Sequence, residues 1–467
     1  RQAGVWNEVG KLLASDASAD ADFGFDVAVD GDVLVVGARR DGASAYRAGA
    51  VYVFERGVGG WSEVAKLTAP VPVAEQEFGV SVDVSGSTIA VGAWGDTLGG
   101  PLEGAVYTYE KVGPAWNLSQ TLTASDGYAP NRFGQAVSLE GDRLLASAPV
   151  DLGVGAVYVF ERAGGAWSEQ AKLVPADGAS GGHFGNDLEL EGDRFVVGRL
   201  QDPAAGLEAG SAYVFERDPV LGTWQEMAKL LPSDGATLER FGNAVSMSGD
   251  DVVVGAFRHG AAGVGAGAAY TFVHAGGAWL QVAKLLPAGA TAFQEHGYEV
   301  RVEGGEVFVG AREGAGASST SGVLTVFPGA GTGGASLVGC PSSISVSTGG
   351  AQTLTLAAGP AHGGQLYLVL GSSTGTSPAY PVDGVLLPLN LLFDPYAGFT
   401  LSNPNSALLQ GTFGVLSPAG NATAVLVVPA TAGLPVPLTL HHAYLVIDPL
   451  LGKAVFASNA VPLTLTP

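Results

Sequence analysis

A unit of about 55 residues recurs six times over the first two-thirds of this 467-residue chain, and that recurrence constrains the fold more than any other feature. A Phe-Gly step marks each unit: Phe23-Gly24, Phe78-Gly79, Phe133-Gly134, Phe184-Gly185 and Phe241-Gly242, with His296-Gly297 in the sixth. The glycines stand 55, 55, 51, 57 and 55 residues apart. A run ending in Val-Gly-Ala follows, at Val36-Gly37-Ala38, Val91-Gly92-Ala93, Val254-Gly255-Ala256 and Val309-Gly310-Ala311. The other two copies read Ala146-Ser147-Ala148 and Val197-Gly198-Arg199. Next comes a Gly-Ala-Val-Tyr-Val-Phe run, seen at Gly49 to Phe54 and Gly155 to Phe160, with variants ending at Tyr109, Phe215, Phe272 and Phe327. Trp followed by Lys-Leu closes the unit: Trp61 with Lys66-Leu67, Trp167 with Lys172-Leu173, Trp224 with Lys229-Leu230 and Trp279 with Lys284-Leu285. Trp116 keeps the place with Thr121-Leu122.

Four strand-like segments per unit, repeated radially, predict a β-propeller. Gly-Asp steps such as Gly31-Asp32, Gly141-Asp142, Gly192-Asp193 and Gly249-Asp250 suit hairpin turns, because glycine accepts positive φ. Each blade packs between two others, so both faces of Val-Tyr-Val-Phe must be apolar. Trp6 to Leu13 is a Trp…Lys-Leu segment without preceding partners, and the sixth unit stops at Phe327 without one. The expectation is six blades, with the N-terminal strand completing the last and hiding the edges.

Composition agrees. The chain has 71 Gly, only 14% charged residues against about 25% typically, and 47% hydrophobic residues. That apolar content excludes wholesale disorder, and two Met with Gly-punctuated Val/Phe/Tyr runs speak against a helical protein. The net charge of −22 repels phosphate backbones, so nucleic acid is not expected as a partner. A single cysteine, Cys340, excludes an intrachain disulfide and a cysteine zinc site. No membrane span is expected: the uncharged stretch from Pro395 to Ile447 is broken by Pro429, Pro435 and Pro437. No basic-then-apolar leader is in view, and a removed signal peptide is the expectation.

The Phe-Gly, Val-Gly-Ala and Tyr-Val-Phe set, in register over about 325 residues, resembles the FG-GAP repeat. That repeat is the propeller unit of integrin α-subunits and many secreted bacterial proteins. The resemblance implies an extracellular or cell-surface location. The chain departs from integrins in having six units rather than seven, and it lacks their calcium loop of alternating Asp/Asn before a Gly.

The propeller is expected over residues 1–328, with a Gly-rich linker at 329–335. Residues 336–467 then hold four charges, Asp383, Asp394, Asp448 and Lys453. Thr353 to Leu356, Gln365 to Leu370, Ala424 to Val428 and His442 to Ile447 read as strands, which predicts a compact β-sandwich. Gly349 to Leu354, Tyr367 to Ser372, Leu387-Pro388-Leu389 and His441 to Tyr444 resemble a C-terminal domain attached to secreted repeat proteins of environmental bacteria, a domain with no assigned activity.

Several residues are candidates for chemistry. Asp16, Asp20 and Asp22, before the first Phe-Gly, are candidate oxygen ligands for one Ca²⁺. Asp41, Asp96, Asp151 and Asp202 share one register after the second strand, with His259 and Gly314 in the other units. One carboxylate per loop cannot supply six to eight oxygens, so these are expected to bond backbone amides and shape the loop. The repeated Trp residues are expected to pack between blades, with the Lys of Lys-Leu snorkelling along the rim. Gly371-Ser372-Ser373-Thr374-Gly375 spells a nucleophile-elbow pattern without a helix to follow. Gly329, Gly331 and Gly334 fall in a linker, and His441-His442 point to opposite faces of a strand. Leu337 to Cys340 spells a lipoprotein box far inside the chain, and Asn117 and Asn421 head glycosylation triplets.

The functional expectation is a secreted, non-catalytic structural or binding protein of the cell surface or matrix. The propeller would be the platform, and the low-charge C-terminal domain the self-association element of a filament or sheet. The alternatives are a calcium-dependent adhesin for a protein or glycan ligand and a polysaccharide-active enzyme. The enzyme would need an acid/base pair that the repeat does not show.

Overall fold

The computed structural model describes the chain from Glu8 onward except positions 9, 99, 101, 128–129, 179–180, 261, 276, 287–291, 315–320, 328–335, 341–342, 346–349, 358–364, 374–379, 383–384, 388–394, 403–404, 411, 417–420, 429–437, 449–452, 458–460 and 467. Nearly all of the described secondary structure is strand.

Each repeat folds as one antiparallel sheet in chain order. Blade 1 comprises Phe23–Asp30, Val33–Ala38, Ala50–Gly57 and Gly60–Leu67. Blade 2 runs from Ser81–Ser85 to Ala115–Leu122, blade 3 from Val137–Glu140 to Ala166–Leu173, and blade 4 from Phe184–Glu191 to Trp224–Leu230. Blade 5 runs from Phe241–Ser248 to Ala278–Leu285. Blade 6 has three strands among the described residues, His296–Glu303, Glu306–Gly314 and Ser321–Phe327. The strand expected to complete it falls largely on residues 1–7 and 9, outside the described ones. The expected ring closure therefore lies outside the described residues. Val27 and Val29 of blade 1 are exposed, whereas Val82, Val137, Leu188, Val245 and Val300, the repeat equivalents of Val27, are buried.

The motifs lock one another together. The Phe of Phe-Gly stacks edge-on against the Tyr and Phe of its own third strand, Phe133 lying 5.4 Å from Tyr158 and 6.0 Å from Phe160. The Gly that opens the third strand meets the next blade's Phe-Gly step as a parallel bridge, Gly104 to Phe133. A Cβ on Gly104 would lie 2.1 Å from the Phe133 carbonyl oxygen, at φ +83, so only glycine fits. Trp116 of blade 2 packs with Val35, Val51 and Val53 of blade 1 and aims its indole N–H at Glu55, 3.4 Å away. The expected packing of Trp between blades is what these contacts show.

Inner strands face the problem of any sheet edge, a row of unpaired N–H groups. Side-chain oxygens of the preceding blade accept them. Asp26 takes Val82 N–H at 2.7 Å, Ser81 takes Val137 at 3.1 Å, Asp83 takes Leu139 at 2.7 Å and Ser138 takes Leu190 at 3.1 Å. Asp187 takes Val245 at 2.8 Å and Glu189 takes Met247 at 2.8 Å. The acids and serines that alternate with the apolar residues of the inner strands are therefore there for a structural reason.

Contacts divide the chain into two compact units, residues 1–269, 285–301 and 308–325 in one, and 270–284, 302–307 and 326–467 in the other. Within the second, a sheet containing Gly350–Ala357 and Asn421–Val428 faces one containing Leu366–Ser372, Leu438–Asp448 and Val461–Thr466. Leu354, Leu356 and Ala424 of the first pack with Tyr367, Val369 and Tyr444 of the second, the core of a sandwich. A short helix, Pro395–Ser402, was not foreseen from the sequence. The 329–335 linker expectation lies outside the described residues.

Candidate functional site: the loop face

Two faces of a blade differ in what its connections carry. Hairpins joining first to second strands turn on a glycine at φ between +55 and +60 in all six blades, Gly31, Gly86, Gly141, Gly192, Gly249 and Gly304. The groove on this hairpin face is lined by Arg143, Arg162 and Arg217, and its charges are compensated. Arg162 pairs with Asp142 at 2.7 Å, Arg143 with Asp193 at 3.3 Å and Arg217 with Glu161 at 3.5 Å.

The opposite face carries the loops after the second and fourth strands. Below its surface the Asp of the common register anchors its loop in blades 1, 2 and 4. Asp41 accepts the Ala43 amide at 3.0 Å, Asp96 the Leu98 amide at 2.9 Å and Asp202 the Ala204 amide at 2.7 Å, as expected of loop-shaping aspartates. The same carboxylates have a second role that the sequence reading missed. Asp41 also takes the Tyr52 hydroxyl at 3.1 Å and the Lys66 ammonium at 3.0 Å. Asp16, on the incoming segment, takes the same two groups at 2.6 Å each. Blade 3 repeats the cluster with Asp126, Asp151, Tyr158 and Lys172, and blade 4 with Asp177, Asp202, Tyr213 and Lys229. The lysine of Lys-Leu is thus drawn inward onto two aspartates rather than snorkelling. Blade 2, lacking that lysine, uses Gln76 against Asp96 and Tyr107.

The three candidate calcium ligands do not gather. Asp16 belongs to the blade 1 cluster, where Lys66 and then Tyr52 hold its carboxyl below the usual range. Asp22 takes Arg39 at 3.1 Å and Arg40 at 3.3 Å, and Asp20 is exposed with φ +65. Among the described residues no group of three or more His, Cys, Asp or Glu side chains could hold a metal ion. The serine of the Gly-x-Ser-x-Gly pattern, Ser373, directly follows strand Leu366–Ser372, and residues 374–379 lie outside the described ones. His442 is buried, its Nε2 2.8 Å from the Tyr396 hydroxyl.

At the surface of this face the repeat holds its backbone and varies its side chains. The residue before each Phe-Gly has positive φ in all six blades: Asp22, Glu77, Arg132, His183, Arg240 and Glu295, between +52 and +58. Non-glycine residues seldom adopt that region, and sites that do often carry function. A belt of contacts joins them. Arg39 bridges Asp22 and Glu77, Glu77 takes the Trp94 indole N–H at 3.1 Å, and Arg132 lies over the Trp94 ring, 4.6 Å from its centroid. Arg240 pairs with Glu208 at 2.6 Å. Burial, then the charges of Arg132 and Arg240, lower the His183 pKa, with Glu208 opposing.

Around this belt the loop between second and third strands raises an apolar tip at one register in blades 1, 3, 4 and 5. Tyr46, Leu152, Leu207 and Val264 are 62–71% exposed. Leu238 and Phe293 of the incoming segments are also exposed, and the backbone joins them to Leu207 and Val264 at 2.8 and 2.9 Å.

Comparison with known proteins bears on the framework. No curated protein sequence matches the chain. Among solved structures, Sqt1 of Saccharomyces cerevisiae aligns at 11% identity and TM-score 0.36, covering 73% of this chain and 94% of that one. A candidate 6-phosphogluconolactonase of Bacteroides uniformis aligns at 10% identity and TM-score 0.44, covering 66% and 84%. A similar candidate of Bacteroides fragilis gives 13% and 0.39, covering 56% and 69%. A model described as the FG-GAP repeat matches residues 6–54, 61–109, 116–160, 167–215 and 224–272, more than half of the sequence. With the Phe-Gly steps, the glycine bridges and the one-sheet-per-repeat topology, this establishes that the chain belongs to the FG-GAP repeat family.

Proposed function

We propose that this chain is an extracellular, non-catalytic binding protein whose loop face docks another protein, with residues 336–467 serving self-association. One observation carries the docking reading. Four blades present a solvent-exposed Tyr, Leu or Val at the same loop register, at the surface where the repeat otherwise varies. Exposed apolar side chains gathered on one face favour a macromolecular contact, and loops on a rigid scaffold are where proteins place recognition. The non-catalytic reading is supported by the engagement of many of this face's titratable groups with one another, such as Arg240 with Glu208 at 2.6 Å. The family's prevalence among secreted proteins supports the location. No helix among the described residues is long and apolar enough to cross a membrane.

A photo-crosslinking amino acid placed at Leu207 on cells of the source organism is expected to form a protein adduct. The same residue placed at Val58, equally apolar but on the hairpin face, is expected to form none. Adducts from Val58 alone, from both alike, or from neither would overturn the docking reading. For self-association the supporting feature is four exposed apolar residues, Leu401, Leu408, Phe413 and Val415, in a domain almost without charge. Light scattering on the full chain should show a mass above the monomer that Val415→Lys reduces. A monomer in both would end that reading.

A further inference from the structure

The cationic arc of the belt has a chemistry of its own. Arg132, His183 and Arg240 occupy the same backbone position in blades 3, 4 and 5, immediately before the Phe-Gly step. In blades 1, 2 and 6 that position is acidic, as Asp22, Glu77 and Glu295. The acids of blades 1 and 2 are engaged, by Arg39 and Arg40 in one case and by Arg39 and Trp94 in the other. The cations are less so. Arg240 has Glu208, but Arg132 has only the Trp94 ring, with no carboxylate in ion-pairing range among the described residues. Its guanidinium is half-buried, oriented by the ring, and retains its fork of donors. Of the other acids on the adjoining segments, Glu239 is held by His259 and Glu103 is buried. In a chain of net charge −22 this arc is a local excess of positive charge.

We propose that Arg132, with His183 and Arg240 beside it, receives an Asp or Glu side chain of the protein docked on the loop face. The inference rests on the docking reading and adds the chemistry of its anchor. A carboxylate meets a guanidinium in two parallel hydrogen bonds, stronger than neutral ones and directional. The neighbours argue for a peptide rather than a sugar acid. Leu207 adjoins Glu208, Leu238 lies two residues before Arg240, and the Leu238 amide donates to the Leu207 carbonyl at 2.8 Å. The site is thus an aliphatic pair beside a cationic arc, suited to an acidic residue flanked by apolar ones. His183 tunes the site. Its pKa is lowered by burial and then by the charges of Arg132 and Arg240, so it is neutral at pH 7.5 and gains charge only as the solution is acidified.

The test is selection of a displayed random twelve-residue peptide library on the full chain, with polygalacturonate as a second probe. Recovered peptides are expected to pair Asp or Glu with Leu, Ile, Val or Phe. Their affinity should fall at least tenfold on Arg132→Gln and tighten as pH is lowered from 7.5, a dependence that His183→Asn flattens. If Arg132→Gln fails to fold, as a thermal melt would reveal, the pH arm and an Asp-to-Asn change in the peptide decide instead. Three results overturn the proposal: recovery of no acidic peptides, acidic peptides indifferent to these changes, or Arg132-dependent binding of polygalacturonate alone. Peptides that ignore Arg132 yet are lost on joint Leu207→Ser and Leu238→Ser leave the docking reading standing without the carboxylate anchor. Peptides indifferent to both sets sink both.

Discussion

Arg199 is fully buried, yet it carries a charge, and the blade 4 cluster shows what makes that tolerable. Its guanidinium lies 2.8 Å from both Asp177 and Asp202 and 3.0 Å from the Tyr213 hydroxyl. It fills the space above Gly182, where a Cβ would fall 2.0 Å from its Nε. Lys229 shares the same two aspartates. Burial alone would raise the Asp202 carboxyl, but Lys229 and the Ala204 amide, with Ser211 and Tyr213, outweigh it and hold it at about 2. Removing one partner of a buried ion cluster costs more than the pair itself contributes, because the remaining charges stay out of water. Asp202→Ala should therefore destabilise the fold by about 3 kcal/mol. Asp41→Ala in blade 1 should cost about 1–2 kcal/mol, since Lys66 is 21% exposed and keeps Asp16. Urea unfolding of the two variants checks the ranking, and equal losses would show that the buried arginine is not what makes the site costly to break.

At the scale of elements, strands were legible wherever the reason for a residue was local or repeated. Phe-Gly, Val-Gly-Ala and Tyr-Val-Phe each mark a strand or its start, and their co-occurrence follows from Phe133 packing on Tyr158 and Phe160. Glycines at Gly104 and its equivalents are demanded by backbone approach, so they stand out in one sequence without any alignment. What the sequence hid is pairing between units. Asp16 reads as a free acid in an acid-rich segment, but its partners Tyr52 and Lys66 lie 36 and 50 residues away. The belt on the loop face was hidden for a related reason. Nothing local announces that Glu77, Arg132 and His183 share a left-handed backbone, because that geometry arises from the bridge to the neighbouring blade. A clue was present: the position before Phe-Gly is polar in all six units, next to a Phe-Gly step that repeats in five of them. Helix Pro395–Ser402 lacked any amphipathic pattern to betray it.

For the molecule as a whole, the acids that satisfy the inner strands create an opposing cost. Asp26 of blade 1, Asp187 of blade 4 and Glu299 of blade 6 lie close enough for their charges to act on one another, around a shared centre. Burial raises Asp26 to about 6 and Asp83 to about 7, against the amides each accepts. Asp187 and Glu299 are raised too, first by burial and then by neighbouring carboxylates, against the amides each accepts. A carboxyl whose folded pKa exceeds its unfolded value of 3.8 binds more protons in the folded state between those values. Stability therefore rises as pH falls from about 7 toward 4, the reverse of the trend for a salt-bridged acid. Asp202, held at about 2, acts oppositely, and its contribution is lost only below the unfolded value near 4. The two sets together predict a melting temperature that climbs by several degrees from pH 8 to pH 5 and drops steeply below pH 4. Asp83→Asn keeps an acceptor for the Leu139 amide while removing one buried charge, so it should raise the melting temperature at pH 8 and flatten the slope above pH 5. A melting temperature that instead falls steadily from pH 8 to pH 5 would mean that water or a bound cation already neutralises the centre. Melts repeated with added calcium and with chelator would then separate those two causes.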